Sequence, residues 1–340
     1  LPIAFLALIT GGCGDADAGW AGAIDTLESG VVVVTNPPEG VWGPGEAWSI
    51  SEELRIGSAM AEGPELFGQV AGIVVDDAGR IHVLDRQAKE IRTFDRAGAH
   101  VRTFAREGAG PGELRNPLGM ALGPEGRIWV ADPQNARYAV FTPDGEYVTA
   151  HVRKLAGSAG PWNGGFGPEG RLHEKIPTPG ATVIVRMDGA FDPVDTIPFP
   201  EYDEPRFEIR NERMHMRTTV PFATSQSEWW DPRGYLWTVV TGDYTITQMD
   251  MAGDTLRVVH GPPTNPVPVT AEERERRLEG LDWFRNQGGK VDPSDIPSEK
   301  PPITGFDVAD DGHLWARLTS RPDDDSVRYH VFDPDGRLLG

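Results

Sequence analysis

The chain has 340 residues, with 32 basic against 52 acidic side chains and a net charge of −20. That excess of negative charge repels phosphate backbones and excludes nucleic acid as a main partner. The 41 glycines and 30 prolines suit a turn-rich β fold, and a single cysteine, Cys13, excludes an internal disulfide.

Residues 1–12 are mostly apolar, too short a run to span a bilayer and the right length for a signal-peptide core. With Gly11-Gly12 before Cys13, residues 1–13 resemble a bacterial lipobox, in which the cysteine carries a lipid. Thr10 departs from that pattern, since an aliphatic residue is usual there. The alternative is a buried strand with a core cysteine. Residues 14–30 read as a flexible tether. The expectation is a cell-envelope lipoprotein, periplasmic or surface-facing, that touches the membrane through its lipid anchor only.

From residue 31 onward a repeat appears. Asp76-Asp-Ala-Gly79 is followed 19 residues on by Asp95-Arg-Ala-Gly98. The same step separates Gly126 from Gly145, Gly170 from Gly189 and Gly234 from Gly253. Gly312 and Gly336 are 24 apart, with Arg321-Pro-Asp-Asp-Asp325 as the insertion. An aspartate or proline followed by glycine makes a tight reversal, because glycine accepts positive φ. Each module therefore reads as a four-stranded antiparallel meander; the first comprises residues 72–76, 80–85, 91–95 and 100–104. Ile81 and Val83 alternate with His82 and Leu84, so both faces of the sheet are half apolar and both need covering. Stacking copies around an axis covers both. One column of flat rings, His82, Trp129, His173, Trp237 and Trp315, fits packing between neighbouring sheets. A metal site at the two histidines is the rival reading.

Two inserts break the period. Residues 201–226 are polar and basic-aromatic, with Arg206, Arg210, Arg213 and Arg217. Residues 261–302 carry a capping box at Thr270-Ala-Glu-Glu273 and apolar spacing at Leu278, Leu281 and Phe284, predicting a helix over 271–287. That helix is expected to dock on the main fold, or to bind a partner.

The pattern G-x-[IL]-[HYW]-V-x-D followed by the second glycine turn resembles the NHL repeat, the unit of six-bladed β-propellers. Residues 31–340 are similar to lipid-anchored or secreted bacterial propellers. The resemblance implies an all-β, six-bladed propeller of four-stranded antiparallel blades, with five blades as the alternative count. Glu53-Leu-Arg-Ile-Gly57 precedes its linker as an outer strand would, so N- and C-terminal strands are expected to close the ring. The closing blade is expected to be incomplete, as if the natural chain continued past Gly340.

In such a meander, the loops between second and third strands share one face with the starts of the inner strands. That funnel face collects Gln69, Asp85, Asn116, Asp132, Arg137, Asn163 and Asp243 as candidate ligand-binding residues. They could hold a small ligand, or Ca²⁺ or Zn²⁺; the plainer reading is that the aspartates cap their own loops. Gluconolactonase-like propellers bind a metal through Glu, Asn and Asp, and amidating-lyase propellers through several His, but no motif here ties such residues together. Met214-His-Met216 could bind Cu(I). No nucleophile elbow, P-loop or zincin helix is present. Two functions follow: a non-catalytic scaffold for a small ligand or envelope protein, or a metal-dependent hydrolase or lyase using the funnel. RNA binding through an arginine patch at 206–217 is a distant third.

Overall fold

The computed structural model describes residues 19–58, 60–155, 162, 164–177, 182–200, 202–210, 214–231, 233–321 and 324–340. The lipobox candidate Cys13, and with it residues 1–18, lies outside them. Five successive sheets follow the predicted modules. Blade I comprises β3 (Val70–Val75), β4 (Ile81–Asp85), β5 (Glu90–Phe94) and β6 (His100–Phe104). It is preceded by a hairpin of β1 (Ala23–Thr26) and β2 (Val32–Thr35). Blade II comprises β7 (Gly119–Leu122), β8 (Ile128–Asp132), β9 (Arg137–Phe141) and β10 (Tyr147–Val152). Blade III comprises β11 (Gly164–Phe166), β12 (Leu172–Pro177), β13 (Thr182–Met187) and β14 (Pro193–Pro198).

An insert hairpin, β15 (Arg206–Arg210) and β16 (His215–Thr219), leads to blade IV. Blade IV comprises β17 (Gln226–Asp231), β18 (Tyr235–Val240), β19 (Thr245–Met249) and β20 (Thr255–His260). The second insert holds helices α1 (Ala271–Glu279) and α2 (Asp282–Asn286). Blade V comprises β21 (Ile303–Val308), β22 (Leu314–Leu318) and β23 (Tyr329–Phe332), extended by a bridge from Phe332 to Leu338. The described chain is thus a β-propeller of five blades, the lower of the two counts.

The glycine turns make the meanders. Gly79 takes φ 76°, and its N–H donates to the Asp76 carbonyl at 2.7 Å. Blade III departs from this scheme. Its turn closes on Phe191 at φ 62° instead of Gly189, two residues later than the spacing predicts. The Phe191 ring lies 5.0 Å from Trp129 and 4.2 Å from His151, contacts that offset the strain of a left-handed phenylalanine.

Alternation within one strand feeds two cores. On β8, Ile128 and Val130 pack toward blade I with Leu84 and Phe141, while Trp129 and Ala131 pack toward blade III with Leu172 and Met187. A second large cluster joins blades IV and V through Trp237, Ile246, Phe306 and Leu314. The join between blades III and IV has a smaller core of Ile184, Ile197, Leu236 and Met249. The physical reason is β11, whose Gly164-Gly165 contributes no side chains to fill the space.

Closure differs from expectation. Part of the predicted 14–30 tether is β1, whose partner β2 pairs in parallel with the outer edge of β20. Asn36 fastens this belt: its amide donates to the carbonyls of His260 (3.0 Å) and Gly336 (2.9 Å) and accepts from Leu338 N–H (2.6 Å) and Trp20 Nε1–H (3.1 Å). Trp42 N–H then donates to the Leu339 carbonyl at 2.7 Å, so N- and C-terminal segments do meet, outside blade V. Residues 53–57 belong to no strand, and Leu54 lies against Gly98 at the outer turn of blade I. Trp48 packs on Trp315 of blade V and Phe67 on Phe94 of blade I, while Ile73 and Val75 of the inner strand of blade I remain exposed.

The helical insert also differs. The predicted helix over 271–287 breaks at Gly280-Leu281 into α1 and α2. The capping box forms, with Glu273 N–H donating to Thr270 Oγ1 at 3.2 Å and Thr270 N–H to Glu273 Oε2 at 3.0 Å. The helices pack on the other insert, where Leu281, Phe284 and Ile296 form one small core with Phe207, Ile209 and Val220. Two sequence-distant inserts therefore build a single satellite unit.

Candidate functional site

The funnel aspartates hold backbone. Asp85 accepts from Gly68 N–H (2.8 Å), Gln69 N–H (3.1 Å), Gln87 N–H (3.0 Å) and Ala88 N–H (3.2 Å). Burial works against its charge, but the bonds from Gly68, Gln69 and Ala88 and the nearby Arg92 outweigh it and hold the carboxyl below the usual range. Asp132, fully buried, accepts from Asn116 N–H (2.8 Å), Arg115 N–H (3.1 Å) and Asn135 Nδ2 (2.6 Å). Thr241 accepts from Ser225 N–H at 2.9 Å, and the Thr319 hydroxyl donates to the Pro301 carbonyl. Four blades thus share one clasp between the end of the second strand and the chain that enters the inner strand.

The other funnel candidates are similarly engaged or stand apart. Asn116 Oδ1 accepts from Arg86 at 2.9 Å, tying the first two blades together. Arg137 donates to the carbonyls of Gly110 (2.8 Å) and Glu113 (2.7 Å). The Gln69 and Asp243 side chains are exposed, and Asn163 lies outside the described residues. Among the described residues, no three His, Cys, Asp or Glu side chains converge to hold a metal. Met214 and Met216 pack on the insert core, whereas His215 on the alternate face is exposed, so the triplet does not present its three groups to one ion.

The ring column resolves by what stands six residues earlier, at the turn. Trp237 Nε1 donates to Asp231 at 3.3 Å, and His82 joins Asp76 (3.1 Å) and Thr93 (2.9 Å) while wholly buried. At Trp129 and His173 the matching turn residues are Gly123 and Gly167, which offer no side-chain acceptor. Trp129 Nε1 and His173 Nδ1 accordingly have no protein partner. Burial pushes the His173 pKa down to about 4, so its ring is neutral at neutral pH.

His173 opens onto a cavity of about 400 Å³ between blades III and IV. Trp162, Trp230, Phe199 and Ile184 supply its apolar walls, and Lys175 and Glu228 form an ion pair within it. Trp162 Nε1 and Trp230 Nε1 also lack protein partners; both are buried against the glycines of β11 and not on the open wall of the cavity. Trp162 and His173 are only 8% and 5% exposed. The glycines of β11 make the geometry possible: a Cβ on Gly164 would stand 2.3 Å from the Trp162 ring. Sequence reading missed this site, because its walls come from two blades. The signal it could have used is Trp162-Asn-Gly-Gly-Phe-Gly167, where aromatics flank a strand without side chains. A second hollow, about 770 Å³, lies between the two inserts beside Phe222, Arg277 and the half-exposed Trp283.

Fold and cavity together define a β-propeller with an inter-blade pocket. No protein-family model matches the chain, and no curated protein matches it by sequence. Solved structures with similar folds include an exported-protein candidate of Bacteroides fragilis, at 16% identity and a TM-score of 0.48, over 80% of this chain and 71% of that one. A gluconolactonase of Xanthomonas campestris aligns at 14% identity and a TM-score of 0.40, over 80% and 76%. Virginiamycin B lyase of Staphylococcus aureus aligns at 13% identity and a TM-score of 0.36, over 78% and 69%. Likeness this distant speaks to the fold alone. Among the described residues, no helix is long and apolar enough to cross a membrane.

Proposed function

We propose that the chain is an extracytoplasmic binding propeller that takes a small ligand in the cleft between blades III and IV, and that Cys13 carries a lipid tethering it to the cell envelope. The observation behind the binding site is the cavity of about 400 Å³ itself, walled by Trp162, Ile184, Phe199 and Trp230 and carrying the Lys175–Glu228 ion pair. A concave, mostly apolar and aromatic cleft with a single pair of convergent polar groups has the usual make-up of a small-ligand site. A metal-dependent hydrolase or lyase at the funnel would instead require Asp85 and Asp132 to release the amides that they hold.

Titrating the ¹⁵N-tryptophan-labelled protein with a mixture of benzamide, nicotinamide and simple methyl glycosides tests the binding site. The Nε1–H resonances of Trp162 and Trp230, assigned from single Trp→Phe variants, should move together and saturate. If both stay fixed while the protein is folded, the cleft is not the site. Palmitate labelling in a bacterial host tests the anchor; label that persists in Cys13→Ser would overturn it.

A further inference from the structure

We infer that the hollow between the two inserts is a second binding site, separate from the inter-blade cleft, and that it takes a small aromatic monocarboxylate. The charge balance of its lining carries the argument. Four charged side chains line this hollow of about 770 Å³: Glu204, Glu273, Arg276 and Arg277. Three of them have a counter-ion. Glu204 pairs with Arg206 at 2.6 Å, Glu273 with Lys300 at 2.5 Å and Arg276 with Glu272 at 2.6 Å. Arg277 makes no hydrogen bond or ion pair with a described residue; its guanidinium carbon lies over the Phe222 ring, 5.7 Å from the centroid. The chain carries 52 acidic side chains against 32 basic ones, yet none of the described ones reaches this cation.

The backbone is strained at the ring that holds it. Phe222 takes φ 60°, in the left-handed region that bulky side chains rarely enter. Strain of this kind persists where the surroundings fix it, and it gathers at ligand sites. Here it places one ring under two cations, Arg277 and, at 5.9 Å, Lys300, of which Glu273 neutralises the second. The N–H donors of Arg277 are left without a protein acceptor. A guanidinium fork matches a carboxylate through two parallel hydrogen bonds. One unpaired cation balances one negative charge, whereas a dianionic phosphate ester would set surplus charge beside Glu204 and Glu273. Trp283 is 49% exposed, so part of its ring is free to cover the apolar body of a ligand, and Thr218 and Thr219 add hydroxyls to the wall.

The test titrates the ¹⁵N-tryptophan-labelled full chain with benzoate, benzamide and phenyl phosphate in turn, and reads the Trp283 Nε1–H resonance, assigned from Trp283→Phe. Benzoate should shift it saturably, and benzamide, of the same shape without the charge, should bind at least about tenfold more weakly. Arg277→Gln should weaken benzoate by a similar factor while the other tryptophan resonances stay in place, because Arg277 is exposed and bonds to nothing the fold needs. Trp230→Phe, in the inter-blade cleft, should leave benzoate binding unchanged. Equal affinity for benzoate and benzamide in the parent, or equal benzoate affinity in Arg277→Gln, would overturn the proposal. So would a Trp283 resonance that no compound moves, a result that leaves the inter-blade cleft untouched. Phenyl phosphate binding more tightly than benzoate would overturn the carboxylate assignment.

Discussion

Replacing Asp132 by alanine separates a structural clasp from a functional funnel. The fully buried carboxylate accepts hydrogen bonds from Arg115 N–H, Asn116 N–H and Asn135 Nδ2 at 2.6–3.1 Å. Each bond to a charged acceptor is worth about 1.5–3 kcal/mol. The three share one carboxylate and do not add fully, so the expected loss is about 3–5 kcal/mol. Asparagine at the same place keeps one acceptor oxygen and should lose roughly half as much. Thr241→Val, which removes a neutral acceptor from Ser225 N–H, should cost only about 1 kcal/mol. Urea unfolding with m-values compared across the series reads these differences directly. The ordering Asp132→Ala, then Asp132→Asn, then Thr241→Val is the signature of the clasp. An Asp132→Ala protein as stable as its parent would refute it and return Asp132 to the list of ligand-binding groups.

Acidification should weaken the fold. The His173 and His330 pKa values are each pushed down to about 4 by burial, with Arg328 adding to the effect at His330. The unfolded chain takes up protons near pH 6.5 and the folded chain does not, so stability is complete above that value and falls as pH drops toward 4. Each histidine should cost about 2 kcal/mol at pH 5, and His173→Phe should abolish its share in urea unfolding at the two pH values; an unchanged slope would count against the buried neutral ring. Asn36→Ala removes four hydrogen bonds, three of which join the N-terminal belt to blades IV and V, and should cost about 2–4 kcal/mol. Limited proteolysis should then cut first around residues 27–31, and a hairpin that stays protected would deny Asn36 its role. Phe284→Ala opens the insert core at a local cost of about 3–5 kcal/mol. Hydrogen exchange should quicken in residues 206–219 and 271–286 and not in blades I and II; uniform loss of protection would show that the inserts and propeller unfold as one.

The repeat was legible because its causes are local. A glycine turn and a half-apolar strand are written in a few consecutive residues, so the meanders of blades I, II and IV follow the predicted spacing closely. Even the ring column stands out, since His82, Trp129, His173, Trp237 and Trp315 occupy equivalent places on successive second strands. Blade III shows the limit: its turn is decided by the pocket that Trp129 and His151 make for Phe191, and both rings belong to the preceding blade.

What only the tertiary structure decided involves partners distant in sequence. Spacing and resemblance point to six blades with five as the alternative, and the structure has five, because no single module reports the ring it joins. The belt through Asn36 joins residues separated by 224 to 302 positions, and the satellite unit joins two inserts across the whole of blade IV. The carboxylates that looked available in sequence meet backbone amides 16 or 17 residues away. The cleft exists because a glycine strand in one blade faces Trp230 and Glu228 in the next. A sequence specifies which groups a protein has; which of them still lack a partner is settled only when the blades come together.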